Sequence, residues 1–170
     1  EAVFEMKTDG SLGITTSGAT GLLAVGPNTV ATGPYSIAMG SGTSATKVVS
    51  TAMGFTTLAD GEFSVTMGSY TSATGDYSIA AGLDTLADGD YSLATGLSTS
   101  AGGLNSFTQG QLTSAQGNNS IAGGLSTYTG AGRAVALGQE TSAYAPNSVA
   151  TGYRTIAGNP DGSSNRTFAF

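Results

Sequence analysis

The sequence predicts an all-β fold, a parallel β-roll or solenoid built from 14-residue coils with two short strands in each. Three observations carry this: a glycine at every seventh residue, hydroxyl and alanine columns that recur every fourteen, and a composition unsuited to helix. From Gly26 to Gly152, sixteen of the nineteen positions spaced by seven are glycine, the exceptions being Lys47, Ala131 and Ala145. Three residues after alternate glycines stand Ser36, Ser50, Ser64, Ser78, Ser92, Ser106, Ser120, Ala134 and Ser148; after the others stands an unbroken threonine series from Thr29 to Thr155. Two residues further on both series usually place alanine, as at Ala38, Ala45, Ala52 and Ala59. A coiled coil also repeats every seven residues, but it needs two apolar positions per heptad and helix formers elsewhere. Glycine is roughly 1 kcal/mol worse than alanine in a helix. Each half-repeat therefore reads as a strand of four or five residues closed by a glycine-centred turn.

Taken in order, residues 1–25 lie outside the clean register and read as an entry segment with short strands and a turn at Asp9-Gly10. Residues 26–159 form the repetitive roll, nine coils and roughly 43 Å tall at the spacing of neighbouring strands. Residues 160–170 carry the end of a polar insertion, after which Thr167-Phe168-Ala169-Phe170 resumes the strand pattern. The chain reads as one stretch of a longer polypeptide. Residue 1 is Glu and no signal peptide is visible, which fits a mature product or an excised piece.

Composition removes several classes of function. Only 9% of residues are charged and 39% are hydrophobic, a balance that points to repetition and not to disorder. The net charge is −6 and the five basic residues Lys7, Lys47, Arg133, Arg154 and Arg166 are scattered, so the clustered positive footprint of a nucleic-acid binder is missing. No apolar run approaches the roughly 20 residues of a membrane span. Histidine and cysteine are absent, leaving no ordinary nucleophile–base pair and no disulfide, and no enzyme activity or cofactor is expected. Lys47 near Ser44 replaces a turn glycine and is not read as a catalytic pair.

Side chains alternate across a strand, so the hydroxyl and alanine columns share one face. The column opposite the threonines contains Asp60, Asp88 and Gln116, which a narrow core would leave without water at heavy expense. That column faces solvent and Thr and Ala face inward. By the same register Ser and Ala of the other strand also face inward, which leaves Ile37, Met39, Met53, Val65, Met67, Ile79, Leu93, Phe107, Ile121, Val135, Leu137 and Val149 as an apolar stripe on the outside of the coil. Soluble monomers rarely expose such a patch, so copies of the same chain are the expected cover. The competing arrangement places Ile and Met inside a monomeric coil with Ser and Ala outside. On the water-facing sheet Leu58, Leu86, Tyr128, Tyr144 and Ile156 are candidate contacts for another surface.

These repeats resemble the YadA-like head repeats of trimeric autotransporter adhesins, whose runs of Asn-Ser-Val-Ala-Ile-Gly are matched by Asn147-Ser148-Val149-Ala150-Thr151-Gly152 and Asn119-Ser120-Ile121-Ala122-Gly123-Gly124. Gly75-Asp76-Tyr77-Ser78-Ile79-Ala80-Ala81-Gly82 and Gly89-Asp90-Tyr91-Ser92-Leu93-Ala94-Thr95-Gly96 are variants of the same run. The resemblance covers residues 26–159. It implies a left-handed roll, a homotrimer, no membrane insertion by this segment, and extracellular display at a bacterial surface toward a host receptor. Similar repeats occur in phage fibres, and Asp9-Gly10-Ser11-Leu12-Gly13-Ile14 weakly resembles the junctions there. Some adhesive members of the family carry histidine in the repeats; this chain has none, so collagen binding is not carried over.

Three functions stay open at this point: an adhesin head, a structural or viral fibre segment, and an ice-binding solenoid suggested by the threonine column. Ice binding requires that column on an outer face. The acids Asp60, Glu62, Asp84, Asp88 and Asp90 fall near turns, where oxygen donors suit Ca²⁺, but they do not recur at every coil, and no metal site is expected. Tyr35, Phe63, Tyr77 and Tyr91 precede the inward Ser and are read as stacking along a turn edge, with a ligand-binding strip as the alternative. Asn118-Asn119-Ser120 and Asn165-Arg166-Thr167 match glycosylation acceptors.

Overall fold

A computed structural model describes residues 2–6, 12–16, 21–159, 161 and 167–170. The turn expected at Asp9-Gly10 lies outside these residues, as does most of the polar insertion. Ala2–Met6 and Leu12–Thr16 pair antiparallel, Ala2 opposite Thr16. From Leu23 onward the described chain is a parallel β-solenoid without helix, made of two sheets. One sheet stacks eleven strands from Leu23–Val25 to Phe168–Ala169, and the other stacks ten two-residue strands from Val30–Ala31 to Ile156–Ala157. Each strand pairs with the one fourteen residues away, as Ile79 does with both Val65 and Leu93. The last step is the exception: Val149 pairs with Phe168, nineteen residues on, so five extra residues are looped out without loss of register.

The interior is made of small side chains, as the alternation predicted. The inward alanines from Ala38 to Ala150, the inward threonines from Thr43 to Thr141 and the inward serines from Ser36 to Ser148 are at most 2% exposed. The arrangement with Ile and Met inside a monomeric coil is thereby overturned. So is the ice-binding reading, because the threonine column it needs on the surface is in the core.

Small residues are required because the two sheets of one coil lie too close for anything larger. Some of the serines satisfy themselves locally: Ser64 Oγ donates to the Gly61 carbonyl (2.7 Å) and Ser78 Oγ to that of Gly75 (2.6 Å), whereas Ser36, Ser92 and Ser106 find no partner among the described residues. The threonines differ from expectation. The hydroxyls of Thr57, Thr71, Thr85 and Thr99 are buried with no partner among the described residues. A buried unpaired hydroxyl carries its desolvation penalty with no return. Thr85→Val, which keeps the shape, is therefore expected to raise stability by about 1 kcal/mol, whereas Ser78→Ala lowers it by a similar amount. Urea unfolding midpoints of the two variants at equal concentration check the opposite signs.

The strands and corners correct the simple picture of a strand ending in a glycine turn. The long strands run five residues with a glycine inside them, as in Ile37–Ser41 around Gly40, and the short ones have two residues. The corner residue is the one two places after each seventh-position glycine. It adopts left-handed backbone in both half-coils, for example Tyr77 (φ 58°) and Asp84 (φ 56°). Asn105, Asn119 and Asn147 occupy these corners because asparagine tolerates that conformation best among residues with a side chain.

The two glycine series are not equivalent. Gly26 to Gly152, taken every fourteen residues, all have φ between 110° and 132°. The series containing Gly33, Gly61, Gly75, Gly89, Gly103 and Gly117 has ordinary φ. All three exceptions to the glycine rule, Lys47, Ala131 and Ala145, fall in this second series.

Candidate functional site

The long-strand sheet presents two outward columns. The first runs Leu23, Ile37, Thr51, Val65, Ile79, Leu93, Phe107, Ile121, Val135, Val149 and Phe168, in register at every step. The second runs Val25, Met39, Met53, Met67, Ala81, Thr95, Gln109, Gly123, Leu137 and Thr151. All twelve residues read as the apolar stripe lie on these columns. They are half-buried to exposed in the single chain, Met39 at 40% and Leu137 at 41%.

Ten coils at about 4.8 Å and two columns across give a face of roughly 50 by 10 Å, on the order of 500 Å². That lies toward the upper end of the roughly 300–600 Å² of a typical monomer's largest apolar patch, which is often an interaction surface, and below the roughly 800 Å² per partner of a specific interface. A third column was missed in the sequence. Phe55, Leu83, Leu97, Leu125 and Tyr153 follow the positive-φ glycines, are exposed, and widen the same face, interleaved with Ser41, Ser69, Gln111 and Gln139 at the same position. Phe55 meets Tyr70 edge-on at 5.5 Å. The signal was present as apolar residues recurring one place after alternate glycines, hidden by reading those glycines as turns.

The short-strand sheet forms the opposite face and is mixed in character. Leu58 is half-buried, Leu86 is exposed and Ile156 is 61% exposed, with serines between them. Tyr128 and Tyr144 approach to 5.4 Å between ring centres, the one pair of the five candidate residues brought into ring contact. Neighbouring coils are cross-linked by polar side chains along this face. Thr46 Oγ1 donates to Asp60, and Thr74 Oγ1 to Asp88. Gln116 Nε2 donates to Ser114 Oγ (2.8 Å) and Ser100 Oγ (3.2 Å).

The acids are explained by the stacking. Asp76 Oδ1 accepts from the Glu62 amide (2.8 Å), and Asp90 Oδ1 from the Asp76 amide (3.0 Å). Asn118 Oδ1 does the same for Leu104 (3.1 Å). Each carboxylate or amide thus caps a corner N–H of the preceding coil. Among the described residues no three His, Cys, Asp or Glu side chains group closely enough to hold a metal ion.

Along the same corner Phe63, Tyr77 and Tyr91 form a parallel stack, with ring centres 4.9 and 5.1 Å apart and planes within 4°. Their faces are therefore spent on one another, which favours stacking over a ligand strip. Ser120 of the Asn118-Asn119-Ser120 acceptor is buried and receives a hydrogen bond from Thr129 Oγ1 (3.0 Å). Asn165 and Arg166 of the second acceptor lie outside the described residues. Lys47 touches Ser50, and does so through its backbone. No described helix is long and apolar enough to cross a membrane.

The family model described as YadA head domain repeat (2 copies) matches residues 23–43, 45–71, 73–99 and 131–155, together more than half of the chain. The first match begins at the first strand of the solenoid. No curated protein matches the chain.

Proposed function

The chain belongs to the YadA head domain repeat family, and from that premise we propose that it is the head segment of a homotrimeric surface adhesin that works without catalysis. Three left-handed rolls stand side by side around one axis, with residues 26–159 as the head, 1–25 leading in, and the strand of 160–170 continuing the roll. The observation that carries this reading is the apolar stripe, which runs the length of the stack on one face only. Closed cyclic symmetry covers such a stripe on every chain at once. Ile37, Met39, Met53, Val65, Met67, Ile79, Leu93, Phe107, Ile121, Val135, Leu137 and Val149 form the seam, and the family's usual surface display points the short-strand sheet outward. Leu58, Leu86, Tyr128, Tyr144 and Ile156 then meet a host or matrix receptor outside the cell. Neither nucleic acid nor membrane insertion has a part in it.

The test couples the purified chain to fluorescent beads and counts those retained on host-cell layers and on matrix-coated surfaces. Wild-type beads are expected to be held and to be displaced by free chain. Tyr128→Ser/Tyr144→Ser beads are expected to lose most retention with an unchanged solution mass. Retention equal to that of uncoated beads on every surface tried would favour a structural or phage-fibre segment instead.

A further inference from the structure

The 14-residue repeat creates a difficulty for any side-by-side assembly of this chain. Sliding one copy past another by a whole coil sets Ile against Val and Met against Met, so most stripe contacts are nearly as good as before. A device that separates the true register from its neighbours has to break the repeat on the stripe itself. The second column does this from Ala81 to Gly123, with its one amide at Gln109. After Val25, Met39, Met53, Met67 and Ala81 come Thr95, Gln109 and Gly123, and then Leu137.

Gln109 is exposed, sits between bulky Phe107 and the strand's glycine, and its amide makes no hydrogen bond within the described chain. Gln116, on the other face, is by contrast bonded to two serines. The residues above and below Gln109 offer it little. Thr95 turns its hydroxyl to the Thr108 carbonyl (3.3 Å), and Gly123 leaves a notch that the Leu137 side chain already occupies.

We propose that Gln109 is the register key of the assembly: the copies align so that their Gln109 side chains meet at one height and bond one another. The inference rests on the side-by-side assembly proposed above. An amide carries both donor and acceptor, so symmetry-related copies close a ring in which each amide gives one bond and takes one, its second N–H left to solvent or a bridging water. A slip of two coils places each Gln109 against Ala81 and Leu137 of its neighbours, where the amide is buried and unpaired. A slip of one coil offers Thr95, whose hydroxyl proton is already given to the Thr108 carbonyl so that it can only accept, and Gly123. The polar residue thus penalises the two-coil slip most, while the aligned register keeps the amides bonded to one another, the role best attested for single polar residues in repetitive seams.

The chain has no cysteine, so single introduced thiols report register cleanly. Chains carrying Met39→Cys and chains carrying Met67→Cys, made distinguishable by isotope labelling, are mixed unfolded, refolded together and oxidised. Disulfide-linked peptides are then counted by mass spectrometry. With Gln109 in place, linkages join like positions, and the mixed 39–67 linkage that a two-coil slip produces is rare. In the Gln109→Leu background the mixed linkage is expected to rise at least about five-fold, the factor set by an unpaired buried amide. No rise, in chains that still form like-position linkages and sediment as an assembly, overturns the register role alone. A single-chain mass with no linkage of either kind overturns the assembly reading on which it rests.

Discussion

Gly96→Ala is expected to destabilise the fold by about 3 kcal/mol or more, at the upper end for residues forced into glycine-only backbone, while Gly89→Ala, one half-coil away, loses clearly less. Gly96 has φ 125°, and a Cβ there would run into the carbonyl oxygen of Gly110 in the next coil. Its column neighbours Gly82 and Gly110 have the same conformation and the same close approach. No local shift relieves one without moving the next. A Cβ on Gly89 also points at a carbonyl, that of Gly103, but its φ is ordinary. Lys47, Ala131 and Ala145 stand in this series, which therefore accommodates a side chain. Urea unfolding of both variants at one protein concentration measures the difference. Equal losses would mean that the carbonyl contact alone, and not the backbone angle, keeps the first series glycine.

The second large effect concerns the stripe. Ile79→Asp/Leu93→Asp is expected to dissociate the assembly at low micromolar concentration while the strand signal in far-ultraviolet circular dichroism stays unchanged. Ile79 and Leu93 are paired neighbours in the first outward column, in contact with solvent in a lone chain. Their replacement leaves the Ser, Thr and Ala interior untouched. In a seam, however, each carboxylate is multiplied by symmetry and stripped of water beside its like-charged copies, which is strongly unfavourable. Leu86→Asp, on the short-strand face, is the control and leaves the mass unchanged. If both variants behave alike, the long-strand face is not the one that copies share.

Much of this was legible in the residues. A glycine every seventh place, with Ser and Thr alternating three places later, fixes a coil of fourteen, and the ladder pairs Ile79 with Leu93 at that interval. Asp60 and Asp88 decided which face is wet, because a carboxylate has no place in a core of alanines. They lie outward, bonded to Thr46 and Thr74. What was not legible depends on backbone angles that residue type does not announce.

Glycine reads as a turn residue, yet Gly40 and Gly54 lie within strands, chosen for the closeness of the next coil's carbonyl. That misplacement concealed Phe55, Leu83 and Leu97 as a third outward column. The left-handed corners were hidden too, since Tyr77, Phe63 and Val49 are poor residues for positive φ and only a minority of the corners, Asn28, Asp84 and the asparagines of later coils, suit it. Stacking of Phe63, Tyr77 and Tyr91 offsets the corner strain from outside the local sequence. Gln109 carried no signal in the sequence, and it stands out only once its column and its unpaired amide are seen together.

The most direct test of the account is the solution mass of the unmodified chain by light scattering at low micromolar concentration. A mass three times the 16.6 kDa of one chain is expected, because the outward Ile, Met and Val columns need cover along their whole length. A mass of one chain that persists as concentration rises would contradict it. The stripe would then be an exposed face in its own right, and the adhesin-head reading would lose its physical basis.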